Sequence, residues 1–240
     1  MQINAPDFKR PILRLGSVAF LAGLVMIIVS TMFHPSSQPL TNHPLVFAEY
    51  AASKTWIASH IGQFAGVMLV FAGGFVTLQR LLTNSEACVA KALALVGLAT
   101  AIVAASTFAI LQAVDGIALK RAVDSWAAAQ ANEKVVAFRV AEGIRWIEIG
   151  INSIFGILRG SVGVIFGAAI AMSGLLPRWI GGLGIFAGAT SIIFGVGVAY
   201  VGFANQPIVG DLSTFTSFIW LAILGIFMWK ISMTKTVVNV

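Results

Sequence analysis

Six times in this chain roughly twenty residues pass with almost no charge, about the length a helix needs to cross a bilayer's hydrocarbon core. These runs cover residues 15–33, 56–78, 92–114, 149–176, 180–201 and 212–229. A backbone in hydrocarbon must satisfy its own hydrogen bonds, so each run is expected to be a helix. The expectation is an all-α, polytopic transmembrane helical bundle forming one domain over residues 1–240.

Composition agrees, since 58% of residues are hydrophobic and only 10% charged. A water-soluble globule carries about 25% charged residues, and this chain has too few to coat one. The first run follows Lys9, Arg10 and Arg14 but is long and lacks a small-x-small cleavage pattern, so it reads as an uncleaved anchor. The net charge of +6 reads as cations kept on the cytoplasmic side of a membrane. The basic residues are not interleaved with stacking aromatics in a polar segment, so nucleic acid is not expected as a partner.

Residues 135–176 are helix-patterned without an interrupting proline, about twice the length of one crossing. Either the first half projects from the membrane or the segment turns near Arg159-Gly160 and crosses twice. With six spans and a cytoplasmic N-terminus, Lys9, Arg10, Arg14, Arg80, Lys91, Arg178, Lys230 and Lys235 lie inside. Seven spans would export Arg178, or Lys230 and Lys235, against the positive-inside tendency. Six spans with both termini cytoplasmic is therefore the expectation, with seven as the alternative. Residues 117–148 then form an extracytoplasmic helical segment.

Ionisable groups at membrane depth are costly and mark candidate sites. His34, His43 and His60 all fall between the first and second spans, and imidazoles near one surface suit a transition metal or a haem. Gln63 follows His60 by three residues, on the same helix face. Arg139, Glu142, Arg145, Glu148 and Asn152 recur at spacings of three and four, which lets Glu142 and Glu148 pair with Arg145. Arg159 continues this face into the bilayer, where an arginine needs a partner. Asp115-Gly116 is expected to end the third span and start a short surface helix. The expected ligand-binding set is Asp115, Glu142, Arg145, Glu148, Asn152, His60 and Gln63, opening outward; His34, His43 and His60 are the metal candidates. Glycine pairs four apart, such as Gly156/Gly160 and Gly184/Gly188, point to close helix packing.

No Walker, zinc-protease or nucleophile-elbow motif occurs, and the one cysteine, Cys88, has no histidine near it in sequence. Three readings stay open. The first is a membrane protein that binds or transports a small molecule, ion or lipid. The second is an accessory subunit with a membrane-protein partner, and the third a metal- or haem-dependent redox protein. Whether the chain is an enzyme is left open.

Several segments resemble a group of uncharacterised bacterial multi-span membrane proteins. They are His34-Pro35, Phe47-Ala48-Glu49-Tyr50-Ala51, Trp56-Ile57-Ala58-Ser59-His60, Leu111 to Lys120, Val123-Asp124-Ser125-Trp126, Arg145 to Gly150 and Pro177 to Gly182. The second half is also similar to a broader six-span domain of unknown function. The resemblance implies six spans and a bacterial inner membrane, with Arg159 a departure from the pattern, and it implies no activity.

Overall fold

The structure, a computed structural model, describes residues 9–233, leaving aside the side chains of residues 9 and 205–207. Lys235, counted above among the inner cations, lies outside the described residues. Six long helices, each apolar enough to cross a membrane, are joined by short connections. They are α1 (Lys9–Met32), α3 (Trp56–Leu82), α4 (Cys88–Ala128), α5 (Ala131–Ser173), α6 (Arg178–Val201) and α7 (Asp211–Met233). A shorter helix, α2 (His43–Ala52), lies between the first two spans; Asn42 caps it and Pro44 occupies its first turn. Both ends of the described chain meet at one end of the bundle, where Arg14 Nη2 lies 3.5 Å from Met233 Sδ. The opposite end is called the far end below.

The segment 131–173 is one unbroken helix, so the described residues hold six candidate spans and not seven. Its 43 residues extend about 64 Å, twice the thickness of a bilayer core. Gly174, at φ 69°, ends it in the left-handed conformation that glycine adopts without strain. The third span does not stop at Gly116. It continues through a π-helical turn, Ala113–Leu119, and on to Ala128. The wider turn keeps the backbone hydrogen-bonded through the glycine, so no break is forced.

Two cores result. One fills the bundle around Phe20, Phe75, Phe166, Ile170, Trp220 and Leu224. The other lies at the far end, where α2 packs on the outer parts of α4 and α5 through Phe47, Tyr50, Trp56, Leu119, Val123 and Ala141. Around the bundle Leu95, Ile102, Ile154 and Ile193 are each more than half exposed, an apolar belt that belongs in lipid. Within the bundle α5 and α6 pack backbone to backbone. A methyl on Gly160 would stand 2.5 Å from the Gly188 carbonyl oxygen, which no side chain permits.

Candidate functional site

Several polar residues of α3, α4 and α5, among them His60, Asp115, Arg145 and Glu148, converge beneath α2 at the far end. Trp56 and His60 occupy successive turns of α3, and both are buried. His60 Nδ1 lies 2.7 Å from the Trp56 carbonyl oxygen, which can only accept, so Nδ1 carries hydrogen. Its Nε2 then faces Asp115 Oδ2 at 3.0 Å. A contact this short between an imidazole nitrogen and a carboxylate holds one proton, on Nε2 or on the carboxyl.

Asp115 reaches His60 because Gly116 follows it. A methyl on Gly116 would lie 2.6 Å from His60 Cβ, so only glycine lets α3 and α4 close at this level. The π-helical turn carries both residues, and the Trp56 indole fastens it by donating to the Asp115 carbonyl at 3.1 Å.

His34 enters from the loop after α1. Its Nδ1 donates to the Pro35 carbonyl at 2.8 Å, which leaves the Nε2 lone pair uncommitted. Its ring lies 4.7 Å from Trp56, 5.1 Å from His60 and 6.1 Å from Tyr50, measured between centroids. Burial, reinforced by the charges of His60 and Arg145, outweighs the pull of Asp115 and holds the His34 pKa below its ordinary value. Burial likewise pushes the Tyr50 phenol up. One ligand atom each from His34, His60 and Asp115 lies within 4.8 Å of the other two.

Arg145 and Glu148 pair at 2.6 Å, and each residue is 2% exposed. The guanidinium lies 4.7 Å from the Phe203 ring centroid and 5.6 Å from that of Tyr50, in cation–π range. Asp115 acts electrostatically on both members of the pair. Buried polar atoms without a hydrogen-bond partner are rare, and among the described residues they concentrate here: Gln112 Oε1, Asp115 Oδ1, and Nε and Nη2 of Arg145. Gln112 and His60 together line a cavity of about 190 Å³.

The cover over this site is held at four points. Lys120 Nζ donates to the Tyr50 and Ala51 carbonyls at the C-terminus of α2 and to Asp124, at 3.1, 2.9 and 2.7 Å, a favourable place for a cation. His43 bonds Glu142 at 3.2 Å, Glu49 accepts from Ser37 and Gln38, and the Thr55 hydroxyl donates to the Phe33 carbonyl.

The residues expected from sequence therefore divide. His34, His60, Asp115, Arg145 and Glu148 come together. His43 and Glu142 bond each other and pin α2 to α5, away from the three ligand atoms. Glu142 also accepts from Arg139 at 2.7 Å, so the arginine–glutamate stripe resolves into two separate pairs and Glu142 does not bond Arg145. Gln63 donates to the Thr31 hydroxyl at 3.3 Å, and Asn152 is half-buried with no side-chain hydrogen bond to a described residue. Sequence reasoning missed Tyr50, Trp56, Gln112 and Phe203 as lining residues. Trp56 stands one turn before His60 and Gln112 one turn before Asp115, which is the signal that was there to read.

Six apolar crossings around a buried polar cluster define a multi-pass integral membrane protein. A family model described as a domain of unknown function (DUF4386) matches residues 15–233, and the chain belongs to that family. Neither the curated proteins nor the solved structures include a match to this chain.

Proposed function

We propose that this membrane protein binds a divalent transition-metal ion at its far end, through His34, His60 and Asp115. The observation that carries the reading is the convergence of two imidazole nitrogens and a carboxylate, 4.8 Å or less apart, at a site where Asp115 Oδ1 is buried without a partner. Two ligands of a tetrahedral ion with bonds of about 2.0 Å stand about 3.3 Å apart, close to the 3.0 Å between His60 Nε2 and Asp115 Oδ2. His34, on a loop, must close by about 1.5 Å at most to complete the trio. Three protein ligands leave a coordination position for water or a solute.

Each ligand is already oriented. The Nδ1 hydrogens of both histidines go to backbone carbonyls, the arrangement that fixes the tautomer of metal-bound imidazoles. The ion would replace the proton shared by His60 and Asp115, so binding weakens in acid. Arg145 and Glu148 lie beside the site as a neutral pair, with two guanidinium nitrogens available to water or to an anionic group on the ion. The positive-inside tendency supports a far end outside the cytoplasm and the resemblance to bacterial multi-span proteins supports an inner membrane, so on this reading the site takes its ion from the extracytoplasmic side. An ion site facing outward is what uptake or sensing of a metal requires.

The test is a Co²⁺ titration of protein purified in mild detergent, followed by visible absorption and competed with Zn²⁺. A stoichiometric spectrum that is lost in His60→Ala and Asp115→Asn supports the site. Failure of the wild-type protein to bind Co²⁺ or Zn²⁺, or binding unchanged by both substitutions, overturns it.

A second reading, an accessory subunit, has its own observation. Val135, Val136 and Val140 are each more than half exposed on the projecting part of α5, beside an open groove of about 720 Å³ against α4. It predicts that another membrane protein copurifies and protects these positions from labelling.

A further inference from the structure

Arg159 stands fourteen residues beyond Arg145 on α5, about 21 Å deeper along the helix axis. Its side chain reaches Ser213 in the first turn of α7, which in turn meets Ser191 near the middle of α6. No carboxylate pairs with it among the described residues. Asp211, two residues before Ser213, is exposed and does not reach it. Its partners are the Phe155 ring, 5.8 Å from the guanidinium, and a row of hydroxyls. Nη2 donates to Ser213 at 2.8 Å, Ser213 bonds Ser191 at 2.7 Å, and Thr190 and Thr216 meet one turn away at 3.3 Å. Arg159 Nε is buried and has no acceptor.

Neither a hydroxyl nor a ring neutralises a cation, and a buried charge without a counter-ion is costly. Beside Arg159 lies a cavity of about 40 Å³ whose lining is the arginine, Ser217 and otherwise apolar residues, aliphatic as well as aromatic. Each water occupies about 30 Å³ in the liquid, so this space takes one or two small guests. Ser217 offers a donor beside the guanidinium. A lining of one cation, one hydroxyl and otherwise apolar residues, with no carboxylate, selects against a second cation.

We propose that this cavity binds a small monovalent anion, chloride in the first instance, as the counter-ion of Arg159. The site is separate from the metal ligands and stands whether or not a metal binds there. It gives the membrane interior a charge-neutral unit that replaces the missing carboxylate, and it ties α5, α6 and α7 together where Arg159, Ser191 and Ser213 meet. A fatty-acid or phospholipid headgroup is too large for the space.

The full chain, purified in mild detergent without halide, tests this by thermal unfolding in sodium gluconate with chloride substituted at constant ionic strength. Chloride should raise Tm saturably, by on the order of a few degrees, and bromide should do the same. Chloride NMR line-broadening supplies a reading independent of stability, and added bromide should relieve it. Both effects should vanish in Arg159→Leu, which removes the charge and keeps an apolar side chain, and weaken in Ser217→Ala. Identical melting in chloride and gluconate with no line-broadening in the wild-type protein overturns the proposal, whatever the variants do. So does a chloride response that persists in a folded Arg159→Leu protein.

Discussion

His60 Nε2 and Asp115 Oδ2 are 3.0 Å apart although 55 residues separate them in sequence, and Nδ1 of the same ring is committed to the Trp56 carbonyl. The pair can therefore accommodate one proton or one metal ion between its atoms, and its ring cannot rotate without losing the backbone bond. Binding at this pair and proton release from it are two readings of one event.

Metal binding should release roughly one proton per ion near neutral pH, because the shared proton must leave before both atoms ligate. Calorimetry of Zn²⁺ binding in buffers of different ionisation enthalpy measures this number. Asp115→Asn should lower the affinity 10-fold or more, and chelation should restore the apo spectrum in a Co²⁺-loaded protein.

Gly116→Ala should disturb the site without replacing any of its ligands. Its methyl would displace His60, so metal affinity falls while Asp115 and both histidines remain. Co²⁺ absorption reads the change; an unaltered spectrum would show that α3 and α4 adjust freely.

Arg145 and Glu148 are buried as a pair, so removing one member should cost more than removing both. Arg145→Leu or Glu148→Gln alone should destabilise by roughly 3–5 kcal/mol by leaving an uncompensated charge. The double replacement Arg145→Leu with Glu148→Leu should recover much of that loss. Unfolding in a detergent–denaturant series gives the comparison, and additive losses would contradict it.

Gly160 and Gly143 make a contrast within one helix. Gly160→Ala would drive a methyl into the Gly188 carbonyl and should cost roughly 1–3 kcal/mol. Gly143 has open space around it, and Gly143→Ala should stabilise by about 0.5–1 kcal/mol. The order of the two melting temperatures is the check.

Glu49 sets a pH limit on the cover. Burial raises its pKa, but hydrogen bonds from the Ser37 hydroxyl and from the Ser37 and Gln38 amides outweigh it, so the folded value lies below the ordinary 4.5. The unfolded loop then binds the proton more tightly. The stabilisation is complete above pH 4.5 and is lost as pH falls through the lower folded value. Hydrogen exchange over residues 36–42 should quicken in that acid window in the wild-type protein and be insensitive to it in Glu49→Gln.

Much of this molecule was legible in the one-dimensional pattern. Apolar length fixed six crossings, because a backbone without water has only the helix to satisfy it. The placing of Lys and Arg favoured one long helix over a turn near Arg159-Gly160, and the rarity of charge picked out His34, His60, Asp115, Arg145, Glu148 and Arg159. Sequence alone also grouped His43 with His34 and His60, and Glu142 with Arg145, since each set is close along the chain. Tertiary structure decided which of these meet. Helical period places residues on a common face but leaves the rotation of that face open. Here the rotation is set by glycine contacts such as Gly116 on His60 and Gly160 on Gly188, and by α2 folding back through Lys120 and Glu142. Those are contacts between residues 28 to 99 positions apart, and a local pattern carries no information about them.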